Sequence, residues 1–190
     1  MEVDARKAFM QLSYCYHELS LIVNRKWWRW LTCWFGGGAG VIVSYRLDRF
    51  FYILLGDAWG LIRIFFFPLF LILRLISFPH EIHYGADVGN GLKILHPSLG
   101  VVISKYAVIG ENLTITGGNC IGARQSLNYG DLVLGNNVTF GAKPVILGPL
   151  TVGNNTIVGA GAVVVHNSSD NEVLIGIPAR PTVINKNKLK

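Results

Sequence analysis

A six-residue repeat begins near Ile82 and continues almost to the C-terminus. In each copy a large apolar residue is followed by Gly and then by two polar or small residues. The copies start at Val88, Ile109, Ile121, Leu134, Phe140, Val152, Val158 and Ile175. A period of six matches neither an α-helix nor a β-hairpin, but it is typical of a parallel β-helix in which each hexad supplies one strand and one corner. We therefore predict a left-handed parallel β-helix.

The residue types within a hexad predict their positions in the prism. The apolar residue should point inward and stack on its copy in the next coil at about 4.8 Å. Gly should occupy corners because it tolerates positive φ, and Asn should be the next-best corner residue. Three segments interrupt the repeat, namely 96–100, 125–132 and 166–172. Interruptions of a solenoid form loops, and we expect these loops on the binding side.

The N-terminal part of the chain has a helical pattern instead. Apolar residues recur at helical spacing within 1–35, and further helices are predicted over 43–55 and 59–78, with Pro68 kinking the last one. The glycine-rich stretch 36–40 is interpreted as a break or hinge. The predicted class is mainly β, with an α-helical region over 1–79, a β-helix over 80–184 and a basic tail over 185–190.

The stretch 59–78 is apolar, yet Arg63 and Arg74 interrupt it. The uncharged run over 64–73 has 10 residues, whereas a membrane-spanning helix needs about 20. A basic strip among aromatic residues suits a helix lying in the membrane interface, so we predict membrane contact through 43–78. The alternatives are a helix that packs on the β-helix or on a second subunit, and a helix that spans the membrane.

The net charge of +6 arises mainly from residues before Glu81, beside the apolar stretch. This placement favours an anionic membrane surface over nucleic acid, which we do not expect as a partner. The 3 cysteines show no CxxC spacing, and no signal peptide precedes them. The predicted location is therefore the reducing cytoplasm, at the inner face of the cytoplasmic membrane.

His96 stands out because it interrupts the repeat between the inward Ile94 and Pro97. Its ring should point outward at a corner, and a histidine in that position can act as a general base at neutral pH. Glu81 and His83 lie at the start of the first coil, where either can orient a histidine of the neighbouring coil.

Histidine can also bind a metal ion, and serine can act as a nucleophile. His80, His83, His96 and His166 are candidate metal ligands, but their spacing does not match a zinc site, and we predict no metal. Serine-based nucleophilic catalysis is not supported, because the chain has no nucleophile elbow and its loop serines suit turns.

The segment 81–96, which reads EIHYGADVGNGLKILH, resembles the opening of the serine O-acetyltransferase group of hexapeptide acyltransferases. In that group Asp-Ile-His-Pro is followed by Ile-Gly-x-Gly and then by the catalytic histidine. The segments GAGAVV at 159–164 and GIPARP at 176–181 resemble the endings of these enzymes. The resemblance covers about residues 80–183.

The resemblance implies that His96 deprotonates an acceptor hydroxyl, which attacks the thioester of acetyl-CoA. Glu81 stands where the family has the aspartate that orients the histidine. A homotrimer is also implied, with acetyl-CoA, a co-substrate rather than a permanent cofactor, in the groove between adjacent prisms. The positions that match its contacts are Gly122, Ala123, Gly141, Ala142 and Ala160, and Lys143 is placed to meet a CoA phosphate.

The chain departs from the serine enzymes in its inserted loop. Those enzymes grip the amino-acid carboxylate with an Arg-His pair, whereas this loop carries Asp131, which would repel an anion and suits sugar hydroxyls. We expect Asp131 and His83 to bind the acceptor. The helical N-terminal region, with Tyr45-Arg46-Leu47 and the apolar stretch that ends at Phe78, also resembles acetyltransferases of capsule, exopolysaccharide and lipopolysaccharide clusters, whose sugars are often lipid-linked. The predicted function is therefore O-acetylation of a surface-polysaccharide sugar. The alternatives are a serine O-acetyltransferase of cysteine biosynthesis and a non-catalytic β-helix scaffold at the membrane.

Overall fold

The structure, a computed structural model, describes residues 5–23, 28, 38–66 and 80–182. Within these residues the helices are α1 (Ala5–Val23), α2 (Gly38–Leu55) and α3 (Ala58–Phe65), and α1 packs against α2. The predicted helix over 1–35 corresponds to α1, and the helix over 59–78 corresponds in its first part to α3. The later residues of both predictions lie outside the described residues, apart from Trp28 in a turn and Phe66 in the turn that ends α3.

The glycine-rich stretch is helical where the structure describes it, so the predicted break at 38–40 is wrong. Gly38 and Ala39 begin α2 and are buried. A Cβ on Gly38 would lie 3.5 Å from the carbonyl oxygen of Ile94 in the first coil. A Cβ at that distance would make an ordinary contact, so the start of α2 packs on the first coil without requiring glycine, and this packing outweighs the low helix propensity of Gly.

The remaining described residues form short strands joined by tight corners. The strands are β1 (His80–Ile82), β2 (Asp87–Val88), β3 (Lys93–Ile94), β4 (Val101–Ile103), β5 (Ala107–Ile109), β6 (Thr114–Gly117), β7 (Asn119–Ala123), β8 (Leu132–Leu134), β9 (Thr139–Ala142), β10 (Val145–Gly148), β11 (Leu150–Val152), β12 (Ile157–Val158), β13 (Val163–Val164), β14 (Val173–Ile175) and β15 (Arg180–Pro181). A 3₁₀ turn, Pro97–Leu99, separates β3 from β4.

The strands form the three faces of a prism. Face A contains β1, β4, β7, β10 and β13, face B contains β2, β5, β8 and β11, and face C contains β3, β6, β9, β12, β14 and β15. Successive coils pair in parallel, and among the strands within residues 80–182 only β15 runs antiparallel, against β14. The predicted left-handed parallel β-helix is therefore confirmed. We name the prism edges by the faces they join: A–B, B–C and C–A.

The core of the prism consists of the residues that the repeat predicts to point inward. Those of the first seven copies are at most 3% exposed. The prediction is wrong for Ile175, which is 48% exposed, whereas Leu174 beside it is buried. Successive side chains of a strand point to opposite faces, so the inward Leu174 turns Ile175 outward.

Asparagine occupies the B–C edge as predicted, whereas glycine has a different role there from the one predicted. Gly110 does not adopt positive φ, but a Cβ there would lie only 2.8 Å from the carbonyl carbon of Gly135 in the next coil. Gly89, Gly135 and Gly153 make similarly close approaches between coils. Glycine is therefore required at these positions for coil stacking rather than for its φ.

Asparagines adopt the left-handed conformation instead. Asn112, Asn137, Asn155 and Asn171 have φ of 54–63°, each one coil below the last. Their side-chain amides form a ladder, in which each Nδ2 donates to the next Oδ1 at 3.0–3.1 Å. Asparagine tolerates this conformation, and the ladder adds a hydrogen bond at each step.

A buried ion pair joins the helices to the first coil. Arg46 of α2 and Glu18 of α1 have fully buried side chains, and Arg46 Nε donates to Glu18 Oε2 at 3.0 Å. Arg46 also donates to the carbonyl oxygens of Val88 and Gly89. Glu18 Oε1 accepts from the backbone N–H of Leu92 at 2.9 Å. The pair therefore satisfies backbone groups of the coil that no preceding coil can pair.

Removing one member of this pair should destabilise the protein strongly. Arg46→Met leaves the Glu18 carboxylate buried without its partner, a change that typically costs about 3–5 kcal/mol. Urea unfolding, with Arg124→Met as an exposed arginine control, measures the effect. Equal midpoints for the two variants would contradict this account of the helix anchor.

Asn137 should be more sensitive to Ala than to Gly. Both substitutions remove its two ladder hydrogen bonds, but only Ala places a Cβ at φ 57°. We expect Asn137→Ala to unfold about 1 kcal/mol more easily than Asn137→Gly. The two variants are compared by thermal unfolding, and an Ala variant at least as stable as the Gly variant would refute the conformational argument.

Candidate functional site

His96 lies at the C–A edge, where the first coil passes into the second. Its backbone N–H donates to the carbonyl oxygen of Thr116 at 2.8 Å, and its own carbonyl accepts from Leu99 at 3.2 Å. Its imidazole is exposed. The predicted outward orientation is therefore confirmed, and the backbone hydrogen bonds fix the position of a solvent-facing imidazole.

Glu81 lies on face A, in β1, and its side chain is exposed. Its register partner is Val102, which follows closely after the turn that His96 begins. Within residues 80–182, no hydrogen bond joins the Glu81 carboxylate to the His96 ring. Glu81 thus lies in β1, which pairs with β4, the strand that follows the turn after His96. The pairing of Glu81 with His96 stays a prediction.

Most of the predicted CoA-binding residues lie on the same edge as His96. Gly141 and Ala142 end β9, and Lys143 follows them with φ 58°. The Lys143 N–H donates to the carbonyl oxygen of Gly117, one coil closer to His96, at 2.9 Å. Ala160 occupies the corresponding corner one coil further on. These residues therefore form a column along the C–A edge with His96 at one end.

Gly122 and Ala123 lie elsewhere, at the end of β7 on the A–B edge. The glycines also differ in what requires them. A Cβ on Gly141 would lie 2.7 Å from the backbone nitrogen of Ala160, so coil stacking alone requires glycine there. The nearest atom to a Cβ on Gly122 is Cys120 Sγ at 3.6 Å, so stacking does not require glycine at Gly122.

A cavity of about 500 Å³ opens at the A–B edge, where the helices meet the first coils. This volume is within the range of small-molecule sites, roughly 300–1,000 Å³. Its lining residues come from α2, from the turn after α2, from the first two coils and from the inserted loop: Arg49, Tyr52, Asp57, His83, Tyr84, Gly85, Lys105, Tyr106 and Tyr129. His83, one of the two residues predicted to bind the acceptor, therefore lines this cavity.

A hydrogen bond from the backbone determines the tautomer of His83, and its surroundings lower its pKa. The backbone N–H of Gly85 donates to His83 Nδ1 at 2.9 Å, so the neutral ring carries its proton on Nε2. Burial lowers the pKa of His83, and the charges of Lys105 and Arg63 lower it further, against the opposing effect of Glu81. His83 is thus a neutral ring that can donate one hydrogen bond from Nε2.

The inserted loop does not direct Asp131 into that cavity. The Asp131 carboxylate accepts from the backbone N–H of Asn128 at 2.7 Å and closes its own loop. Tyr129 lines the cavity instead, and its hydroxyl donates to Asp87 Oδ2 of the first coil at 3.0 Å. Contact between Asp131 and the acceptor stays a prediction. One of the two carboxylate oxygens of Asp131 already accepts a hydrogen bond within its own loop.

Sequence reasoning missed the aromatic and basic residues of the cavity. Arg49 and Tyr52 lie one helical turn apart on α2, and Tyr106 and Tyr129 come from separate coils. The only available signal was the recurrence of arginine and tyrosine at helical spacing in α2, because the other contacts depend on the tertiary fold. In the part of the chain that the structure describes, no group of three or more His, Cys, Asp or Glu residues could hold a metal ion.

The chain is similar to the putative colanic acid biosynthesis acetyltransferase WcaB of Escherichia coli K12. The two are 36% identical over 152 residues, which covers 76% of this chain and 90% of WcaB. No family model matches the chain.

Solved structures share the fold. The serine acetyltransferase of Neisseria gonorrhoeae superposes with a TM-score of 0.72, covering 94% of this chain and 68% of the other, at 24% identity, which establishes the fold. A serine acetyltransferase in complex with CoA superposes with a TM-score of 0.58 at 25% identity, covering 76% and 55% of the two chains. The extent of the match to WcaB, together with the shared β-helix, shows that the chain belongs to the serine acetyltransferase-like group of hexapeptide-repeat acyltransferases.

Proposed function

We propose that the protein transfers an acetyl group from acetyl-CoA to a sugar hydroxyl during surface-polysaccharide synthesis. The observation that carries the proposal is the exposed His96 at one end of a column of predicted CoA-binding residues. The similarity to WcaB, whose name refers to colanic acid biosynthesis, supports a polysaccharide acceptor.

The proposed reaction needs one base and close positioning of two substrates. His96 accepts the proton of the acceptor hydroxyl while that oxygen attacks the thioester carbonyl. The carbon–sulfur bond then breaks, and the CoA sulfur leaves with the proton that His96 returns. Glu81 acts as a positioning residue that favours the protonated imidazole. Holding thioester and hydroxyl at one edge supplies much of the acceleration.

We also propose a homotrimer in which acetyl-CoA lies between adjacent prisms. The column at the C–A edge and the Gly122–Ala123 corner lie on different edges of one prism. A single chain therefore cannot bring both into contact with one CoA molecule in a narrow groove. Two neighbouring prisms can present both, each contributing one edge. Lys143, exposed at its corner, is placed to meet a phosphate of CoA.

Membrane attachment through the helical region is part of the same proposal. Leu61, Ile64 and Phe65 of α3 are 70–91% exposed, an apolar surface that suits the membrane interface. Arg63 on the same helix forms a 2.9 Å ion pair with Asp48 of α2, which fixes α3 to the helical pair. None of the helices within 5–66 that the structure describes is both long enough and apolar enough to span a bilayer.

Replacing His96 should abolish catalysis without unfolding the protein. His96→Ala retains the backbone hydrogen bonds at this corner and should lower kcat by about 100-fold or more. Release of the CoA thiol from acetyl-CoA measures the rate, with circular dichroism to verify folding. His166→Ala, which removes an exposed histidine of the last coil, should leave the rate unchanged.

The same assay separates the candidate functions when the acceptor is varied. Turnover with surface-polysaccharide fragments and none with L-serine is the expected result. Turnover with L-serine alone would identify a serine O-acetyltransferase. If the wild type turns over no acceptor, including lipid-linked sugars, the catalytic proposal fails and the scaffold alternative stands.

The exposed side chains of α3 should control membrane binding. We expect the wild type to float with vesicles of phosphatidylethanolamine and phosphatidylglycerol, and Leu61→Ser/Phe65→Ser to reduce the bound fraction about tenfold. Ile177→Ser is the control, since Ile177 is 75% exposed but lies at the far end of the β-helix. Equal flotation of all three proteins would argue against membrane contact through α3.

A further inference from the structure

We propose that the cavity at the A–B edge is a glycan-binding subsite, which holds sugar units of the acceptor remote from the hydroxyl that reacts. The inference rests on the proposed function, because it assigns the acceptor as an oligosaccharide or polymer rather than a single sugar. Of the residues that line this cavity, only His83 was predicted from the sequence to bind the acceptor.

The walls of the cavity are tyrosine rings. Tyr52 and Tyr84 lie with their ring centroids 5.0 Å apart and tilted by 49°, and Tyr106 and Tyr129 complete the lining. A tyrosine ring presents an apolar face and a hydroxyl at one end. A sugar ring likewise presents apolar C–H faces and hydroxyls around its edge, so the two are chemically complementary.

Cations hold these rings in place before any ligand binds. The guanidinium carbon of Arg49 lies 5.7 Å from the centre of the Tyr52 ring, and that of Arg63 lies 5.6 Å from the Tyr84 ring. Lys105 Nζ lies 4.7 Å from the Tyr106 ring. Rings fixed by such contacts lose little freedom when a ligand stacks on them, which favours binding.

Hydrogen-bonding groups converge on the same space. His83 presents a single N–H donor, and Asp57 contributes an exposed carboxylate to the lining. Arg49 Nε is buried and has no hydrogen-bond partner within the described residues, although Nη1 of the same side chain donates to the carbonyl oxygens of Tyr84 and Gly85. A few donors and acceptors among apolar faces are the usual composition of a small-molecule site.

The volume of the region suits more than one sugar unit. A second cavity of about 370 Å³ adjoins the first, and Arg49 and Tyr129 line both. Between them Asp87 accepts from the Tyr129 hydroxyl and lies 3.5 Å from Arg49 Nη2. These two neighbouring cavities, called the groove below, together offer more volume than one sugar unit fills.

The position of the groove separates it from the reacting atoms. His83, Lys105 and Tyr106 lie at the A–B edge of the same coils whose C–A edge carries His96. The strand β4 that separates the two edges has 3 residues, so face A is about 10 Å wide here. A glycan unit in the groove is therefore remote from the hydroxyl that His96 would deprotonate, and it contributes binding rather than chemistry.

Acceptor length is the variable that tests this subsite. The probe is the cell's own surface polysaccharide, de-O-acetylated with mild alkali, partly hydrolysed and separated into single sugars and fragments of three or more units. We compare wild type with Tyr106→Ala and Tyr129→Ala, with Tyr129→Phe to retain the ring without the bond to Asp87. Tyr16→Ala is the control, since Tyr16 is 69% exposed on α1 and does not line either cavity.

The expected result is a rise in KM of about tenfold for the longer fragments in both alanine variants. Their kcat should stay within about twofold of wild type, and Tyr129→Phe should resemble wild type. Single sugars should show no change in either constant. An unchanged KM for the longer fragments, or an equal loss for fragments of every length, would overturn the assignment.

A binding measurement distinguishes failure of the glycan subsite from failure of the proposed acetyltransferase function. Saturation-transfer NMR with the same fragments, in the absence of acetyl-CoA, reports contact between sugar protons and the protein without any reaction. Binding that depends on Tyr106 and Tyr129 but is followed by no turnover would refute the proposed function alone. Turnover with no dependence on these tyrosines, or no binding of any long fragment, would refute the subsite.

Discussion

The ion pair between Arg46 and Glu18 holds the two parts of the structure together. A solenoid ends in a coil whose backbone groups have no neighbour on one side, and here the pair supplies hydrogen bonds to that coil. Burial lowers the pKa of Arg46, but the hydrogen bond and charge of Glu18 raise it above its usual value, so the charge persists. Arg49 and Tyr52 follow on the same helix at intervals of three residues. The helix that closes the first coil therefore also forms one wall of the A–B cavity.

The edges of the prism have separate roles. The B–C edge contains the asparagine ladder and a column of glycines, and its polar groups are largely hydrogen-bonded to one another. The C–A and A–B edges are less regular, because the turn after His96 and the inserted loop with Tyr129 interrupt the repeat there. Regular stacking on one edge gives the stiffness that lets the other two present irregular, functional groups at fixed heights.

The sequence predicted the β-helix because the hexad repeat directly reflects which side chains stack in the core. It predicted His96 as an outward residue for the same reason, since an interruption next to an inward Ile94 must lie at a corner. The repeat could not reveal that Ile175 points outward, because the reversal into β15 changes the alternation. Nor could it reveal the tyrosine cavity, whose residues come together only through tertiary packing. The orientation of the inserted loop, with Tyr129 rather than Asp131 in the cavity, depends on that packing as well.

The ends of the β-helix explain how a stack of identical-looking coils stays finite. Parallel coils expose backbone groups at each end, and such edges can template the addition of another molecule. Here the reversed strand β15 pairs with β14, and the N–H of Thr182 donates to the carbonyl oxygen of Val173 at 2.8 Å. At the other end, α1 and α2 cover the first coil. Each molecule thus covers both ends of its β-helix with its own residues. This covering opposes head-to-tail fibre growth and confines association to the sides of the prism.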